Sequence, residues 1–146
     1  MNERTVFQAM SRRRIVSLGP KATVYEAACV MTQANCGSVL IVDGPGTLLG
    51  ILTERDLMTR VLAKALNPAI TPASKVMTPD PQCVGPETRV ADAVVIMIER
   101  GFRHLPVVVD GTKILGVFSL RDALPRELNA AVDLAEFNDQ VNDALG

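Results

Sequence analysis

Aromatic side chains are scarce in this chain of 146 residues: tryptophan is absent, and one tyrosine and four phenylalanines make up 3% of the sequence. The interior must therefore be filled by Val, Ile, Leu, Ala and Met. Histidine occurs once, at position 104, so neither a Ser–His–Asp nor a Cys–His set can be assembled around a spare imidazole. The three cysteines, Cys29, Cys36 and Cys83, form no CxxC pair and give no support to a zinc site. Free thiols suit a reducing compartment, and Cys29 and Cys36 are expected to be core or half-buried. No Walker A loop, HExxH or Gly-x-Ser-x-Gly is present. The net charge of −1 supplies no field that would draw the chain onto nucleic acid. The one basic run, Arg12-Arg13-Arg14, reads as a solvated loop or helix end. Apolar runs such as Val94 to Ile98 are far too short to span a bilayer. The opening MNERTVFQAMSRRR has no apolar core of a secretory signal. The expectation is a soluble, cytoplasmic chain with no catalytic residues, no metal, no nucleic-acid partner and no membrane partner.

What is present is apolar content, at 48% hydrophobic against 21% charged residues. That suffices for a globular core. The organising feature is an internal repeat. Shifted by 66 positions (85 − 19 = 66), Gly19-Pro20 falls on Gly85-Pro86, Val24 on Val90, Ala27 on Ala93 and Met31 on Met97. Val42 falls on Val108, Leu49-Gly50 on Leu115-Gly116, and Arg55-Asp56 on Arg121-Asp122. Met10-Ser11 echoes Met77-Thr78 with a shift longer by one residue.

Each repeat reads β-α-β-β-α. A short β segment (15–18, then 82–84) leads into a Gly-Pro turn. Thr23 opens the first helix with Glu26 as its capping-box partner. Val24, Ala27, Ala28 and Met31 follow at helical spacing, matched by Val90, Ala93, Val94 and Met97. Two short β-rich runs come next: 38–42 and 48–52 in the first repeat, 105–109 and 114–118 in the second. A second helix is expected from Thr53 and again from Ser119. Residues 67–86 hold five prolines and read as an extended linker that includes the first strand of repeat two. The division expected is 1–66 for an N-terminal helix and repeat one, 67–86 for the linker, 87–128 for the rest of repeat two, and 129–146 for a helical tail. In the tail, Leu128, Val132 and Ala135 form a narrow apolar stripe. A unit this small cannot bury a sufficient core alone, so the two repeats are expected to pack as one pseudo-symmetric α/β (α+β) body.

The strand-to-helix junctions, 50–56 and 116–122, are the richest in chemistry. Thr53 and Ser119 stand where an N-cap belongs, with Asp56 and Asp122 three residues on, which is a capping arrangement. A helix N-terminus also offers N–H groups and a positive dipole end to a phosphate. A carboxylate there can accept both hydroxyls of a vicinal diol, as in ribose recognition. Gly50 and Gly116 leave room for a close approach by a ligand or a strand.

The pattern Gly-hydrophobic-x-Thr/Ser-x-x-Asp, closing each of two β-α-β-β-α repeats, resembles the CBS domain family. The resemblance extends to Val76-Met77-Thr78 and Phe102-Arg103-His104-Leu105-Pro106-Val107-Val108, covers roughly residues 10–128, and is closest to the stand-alone bacterial tandem pair, or Bateman module. It implies a regulatory module that binds an adenine nucleotide (AMP, ADP, ATP or NAD(H)) or S-adenosylmethionine in clefts between paired repeats. It also implies a homodimer and a protein partner whose activity is regulated. Carried over residue by residue, Asp56 and Asp122 hold ribose hydroxyls, and Thr53 and Ser119 touch phosphate. The first β segments, Val84 among them, flank the adenine. One cleft would combine Thr53 and Asp56 with Arg103, His104 and Pro106, and the other Ser119 and Asp122 with Gly37 and Ser38. The second lacks the two cationic groups, so its phosphate affinity is expected to be lower. Arg55 and Arg121, on the first turn of each helix, are candidates for phosphate or dimer contacts. The alternatives are a ligand-free dimerisation scaffold and a regulatory subunit of an enzyme.

Overall fold

The computed structural model describes residues 3–10 and 15–145, so the Arg12-Arg13-Arg14 run lies outside the described residues. The elements in order are α1 (Val6–Ala9), β1 (Ser17–Leu18), α2 (Val24–Ala34), β2 (Ser38–Asp43), β3 (Thr47–Thr53) and α3 (Glu54–Asp56). A π-helical turn (Leu57–Leu62) runs on from α3. Then come α4 (Ala73–Val76), β4 (Thr78–Pro79), α5 (Val90–Arg100), β5 (His104–Val109), β6 (Lys113–Ser119), a 3-10 turn (Leu120–Asp122) and α6 (Pro125–Leu145). The class is mixed α and β, as the repeat predicts.

The chain divides into two compact units, one built on β1–β4 with α2–α4, the other on α5, β5, α6 and most of β6 together with α1. In the first, the sheet order is β1-β2-β3-β4. β1 pairs parallel with β2, Leu18 opposite Ile41, and β3 lies antiparallel to both β2 and β4. Its core is Val24, Ala27 and Met31 of α2 against Val39, Ile41 and Leu52, closed by Val61, Ala73 and Val76. In the second unit the β5–β6 hairpin is joined by a parallel bridge between Val84 and Val107. These positions correspond to Leu18 and Ile41 (84 − 66 = 18; 107 − 66 = 41). Val90, Ala93, Val94 and Met97 of α5 pack with Leu105, Val107 and Phe118.

The N-cap of α2 forms as expected, Thr23 accepting the Glu26 N–H at 3.1 Å, but Glu26 does not complete a capping box. Asn35 and Gly101 end α2 and α5 with left-handed backbone, which lets their N–H groups reach the Met31 and Met97 carbonyls and which glycine and asparagine adopt at least cost.

Several local expectations change. The first β segments are shorter than read: Ser17–Leu18 in repeat one, and a single bridging residue, Val84, in repeat two. The helix expected from Ser119 is only a 3-10 turn. Pro125 disfavours helical backbone at Leu124 and itself begins α6, where a missing N–H costs nothing. Residues 67–86 are more than an extended linker, because α4 buries Ala73 and Val76 and β4 adds to the sheet. Cys29 is exposed, whereas Cys36 is half-buried and its thiol lies 3.3 Å from the Ser38 carbonyl. In α6 the packed residues are Ala131 and Ala135 with Leu128 half-buried, and Val132 is exposed. Two small residues four apart let α6 approach α5 closely.

Each unit is completed by the segment that precedes the other repeat in sequence. Residues 71–77 serve repeat one: the Val24 N–H donates to Thr71 O, and the Ala73 N–H to Ala22 O. Residues 4–10 serve repeat two in the same way, through Val90 N–H to Arg4 O and Val6 N–H to Thr88 O. Met77 lies against Gly50, and Met10 against Gly116. The close approach that the two glycines allow is therefore taken by a methionine, with the shift of 67 that relates Met10 to Met77.

Arg4 anchors the N-terminal segment. Its Nη2 donates to Glu127 Oε1 at 2.7 Å and to the Asp122 carbonyl at 3.0 Å, and its Nε to Glu127 Oε2 at 3.1 Å. These bonds to Arg4 hold the buried Glu127 carboxyl below the usual carboxylate range, although burial opposes the shift.

Two outcomes follow from this packing. A carboxyl with a lower pKa folded than unfolded stabilises the fold above its unfolded value of about 4.3, and that contribution is lost as pH falls through the lower folded value. Urea unfolding of the wild type should therefore lose stability below about pH 4.3, and Glu127→Gln should be less stable at pH 7 with a shallower acid dependence. An added Cβ at Gly50 would sit 2.5 Å from Met77 Sδ and 2.7 Å from the Thr78 carbonyl. Gly50→Ala should cost about 2 kcal/mol or more in chemical denaturation. Adding Met77→Ala should not restore it, because the backbone contact remains.

Candidate functional site

Both motif junctions fold as capping boxes. In repeat one β3 ends at Thr53, whose backbone is extended (φ −116°, ψ 168°), and the chain turns helical at Glu54. The Thr53 N–H donates to Asp56 Oδ2 at 3.0 Å, and the Thr53 hydroxyl donates to the same oxygen at 3.2 Å. The Asp56 N–H returns to Thr53 Oγ1 at 3.3 Å. The Glu54 N–H donates to the Gly37 carbonyl at 3.1 Å. Ser38 is buried and pairs across the hairpin with Thr53. Asp56 is itself buried, at 7% exposure, an unusual position for a carboxylate that makes no bidentate ion pair. Its Oδ1 faces Arg60 Nε at 3.7 Å.

Repeat two follows the same plan. The Ser119 N–H donates to Asp122 Oδ2 at 2.9 Å, and the Arg121 N–H reaches Ser119 Oγ at 3.4 Å. The Leu120 N–H donates to the Arg103 carbonyl at 3.0 Å, the counterpart of the Glu54–Gly37 bond. Asp122 is only half-buried. The Pro106 carbonyl accepts the Val84 N–H at 3.0 Å, which ties two further candidates together. Pro106 and Val84 are buried, His104 is half-buried at the start of β5, and Arg103 is exposed. Arg55 and Arg121 project from the exposed side of their turns.

The structure thus groups Gly37, Ser38, Thr53 and Asp56 in one unit, and Val84, Arg103, His104, Pro106, Ser119 and Asp122 in the other. One expectation is corrected at both junctions. The N–H groups of Thr53, Glu54 and Asp56, and of Ser119, Leu120 and Arg121, are engaged within the protein, so the turn is not an open nest of donors for phosphate. The second oxygen of Asp56 is not part of the cap and faces Arg60. Arg60, Arg4 and Glu127 were missed by the sequence reading. Arg60 was legible as an Asp–Arg pair four residues apart on a helix. Nothing in the sequence joins Arg4 to Glu127, which are 123 residues apart.

Among the described residues no group of three His, Cys, Asp or Glu side chains is placed to hold a metal ion, and no helix is long and apolar enough to cross a membrane.

Comparison with known proteins agrees with the geometry. A family model described as the CBS domain matches the chain twice, over residues 6–63 and 73–127. A 17.7 kDa protein of Acidianus ambivalens is 34% identical over 118 residues, 81% of this chain and 70% of that one. A CBS domain-containing protein of Arabidopsis thaliana is 39% identical over 109 residues, 75% of this chain but only 20% of the plant protein. Among solved structures, a CBS domain protein of Pyrobaculum aerophilum complexed with AMP superposes with a TM-score of 0.77 at 26% identity, covering 88% of this chain and 98% of that one. With two matched repeats, each closing on its own Ser/Thr–Asp turn, the chain belongs to the CBS domain family as a tandem pair.

Proposed function

We propose that this CBS pair is a regulatory module that binds an adenine nucleotide and performs no catalysis. The observation that carries the reading is the aspartate of each motif turn. One oxygen of each aspartate is spent on the cap, and the other is the one we assign to a ligand, with Arg60 Nε 3.7 Å from Asp56 Oδ1. An ionised carboxylate in that position suits the two adjacent hydroxyls of a ribose. The AMP complex of the P. aerophilum relative supports an adenosine ligand. Within that class, AMP, ADP, ATP and NAD(H) share the ribose that this site would grip. Thr53 and Ser119 are engaged in their caps, so their contribution is to hold the aspartate, with any phosphate contact secondary.

Arg103 and His104 are the pair to which the family resemblance assigns a phosphate. A guanidinium can donate two parallel bonds to a phosphate, and a neighbouring phosphate favours the charged form of histidine. Repeat one offers Gly37 and Ser38 at the corresponding positions, without charge. One preferred nucleotide per chain is therefore proposed, with Arg55 and Arg121 as further candidates for phosphate or dimer contacts. Ligand binding acts on a partner, or on a second copy in a homodimer, by differential affinity between two states of the pair. The cytoplasm is the setting in which three cysteines without a disulfide and a nucleotide signal are both at home.

Calorimetric titration with AMP tests the assignment. Asp56→Ala should weaken binding by about 1.5–3 kcal/mol, the scale of hydrogen bonds to a charged group, or on the order of 10- to 100-fold. Asp122→Ala should weaken it less, and raising the salt concentration should weaken wild-type binding. Unchanged affinity in folded Asp56→Ala would remove the ribose assignment. A larger loss from Asp122→Ala would move the preferred site to repeat two.

A further inference from the structure

Arg60 stands one turn beyond Asp56 and outside the family motif. Its Nη1 donates to the carbonyls of Val76 at 3.1 Å and Met77 at 3.0 Å. These carbonyls lie at the C-terminal end of α4, where a helix leaves its last acceptors open. The guanidinium is thereby pinned at one end, and its Nε is presented to Asp56 Oδ1 at 3.7 Å. Asp56 Oδ2 already takes two bonds from Thr53, so Oδ1 is the oxygen on which a diol would act and also the one with a fixed cation beside it.

Repeat two does not reproduce this arrangement; the cation near Asp122 is Arg4, which donates to its backbone carbonyl. The position corresponding to Arg60 is Arg126 (126 − 60 = 66). The chain between Asp122 and Arg126 is not continuous helix, since Ala123 is extended and α6 begins afresh at Pro125. Among the described residues Asp122 forms no ion pair within 4.0 Å.

We infer that Arg60 is a positioning residue for the ligand of repeat one: it keeps the Asp56 carboxylate turned so that Oδ1 meets the diol. The inference rests on the nucleotide reading above. Arg60 acts through Asp56 and needs no contact with the ligand, so its effect must vanish when Asp56 is removed.

The test is a double-mutant cycle read by calorimetry with AMP, using wild type, Arg60→Ala, Asp56→Ala and the double mutant. Arg60→Ala should lower AMP affinity about two- to fivefold when Asp56 is present, the range of a partly exposed ion pair. It should have no further effect in the Asp56→Ala background. Arg60→Lys keeps the charge but not the fork that holds two carbonyls, and should recover only part of the loss. An equal loss in both backgrounds would mean a direct ligand contact and overturn the inference. A lowered melting temperature with unchanged AMP affinity would make Arg60 a structural strut and overturn it equally. If wild type binds none of AMP, ADP, ATP and NAD, the nucleotide reading falls and takes this inference with it. Binding that ignores Arg60→Ala removes the inference alone.

Discussion

The reciprocal bonding of a hydroxyl residue with an aspartate three positions on is the interaction from which the rest of each half-site follows. It converts the end of a β-strand into a helical turn within one residue. It also satisfies backbone N–H groups that a helix start otherwise leaves open. Because Oδ2 of Asp56 and of Asp122 is committed to the cap, each carboxylate is held by one oxygen before any ligand arrives. A preorganised acceptor loses less on binding than one that must first be ordered. Structural and functional readings of the motif are therefore two uses of two oxygens on one side chain.

The second constraint is size. A hairpin with one flanking helix offers too little apolar surface to be stable alone. Each unit recruits a further short helix and a methionine: α4 with Met77 in one, α1 with Met10 in the other. The glycine of each motif strand exists for that contact. The Met10–Met77 echo, offset by 67 rather than 66, was visible in the sequence as a repeat. Which body each methionine serves was not, since that depends on hydrogen bonds such as Val90 N–H to Arg4 O.

What was legible was whatever is periodic or capped. The hairpins, α2 and α5, and the capping boxes of both motif turns follow from local chemistry and from the repeat. The misreadings have physical causes. Pro125 overrides the helix signal of Ser119, and Ala73 and Val76 recruit part of the proline-rich segment into a core. In α6 the packed face is defined by small alanines that a search for large apolar residues passes over. At the site, the aspartates and hydroxyl residues were found because their spacing is fixed by helix geometry. The engagement of the first N–H groups by Gly37 and Arg103 carbonyls could be learned only from the fold. So could the clamp of Arg4 on Glu127.

The central claim, that this pair of repeats recognises an adenine nucleotide, is tested most directly by thermal unfolding of the wild-type chain across AMP, ADP, ATP, NAD and S-adenosylmethionine. A ligand present at about 100 times its dissociation constant should add roughly 2.7 kcal/mol of stability, seen as a saturable rise in melting temperature with at least one adenine nucleotide and absent with inorganic phosphate. A melting temperature that none of these ligands moves at millimolar concentration would contradict the account and favour a ligand-free scaffold.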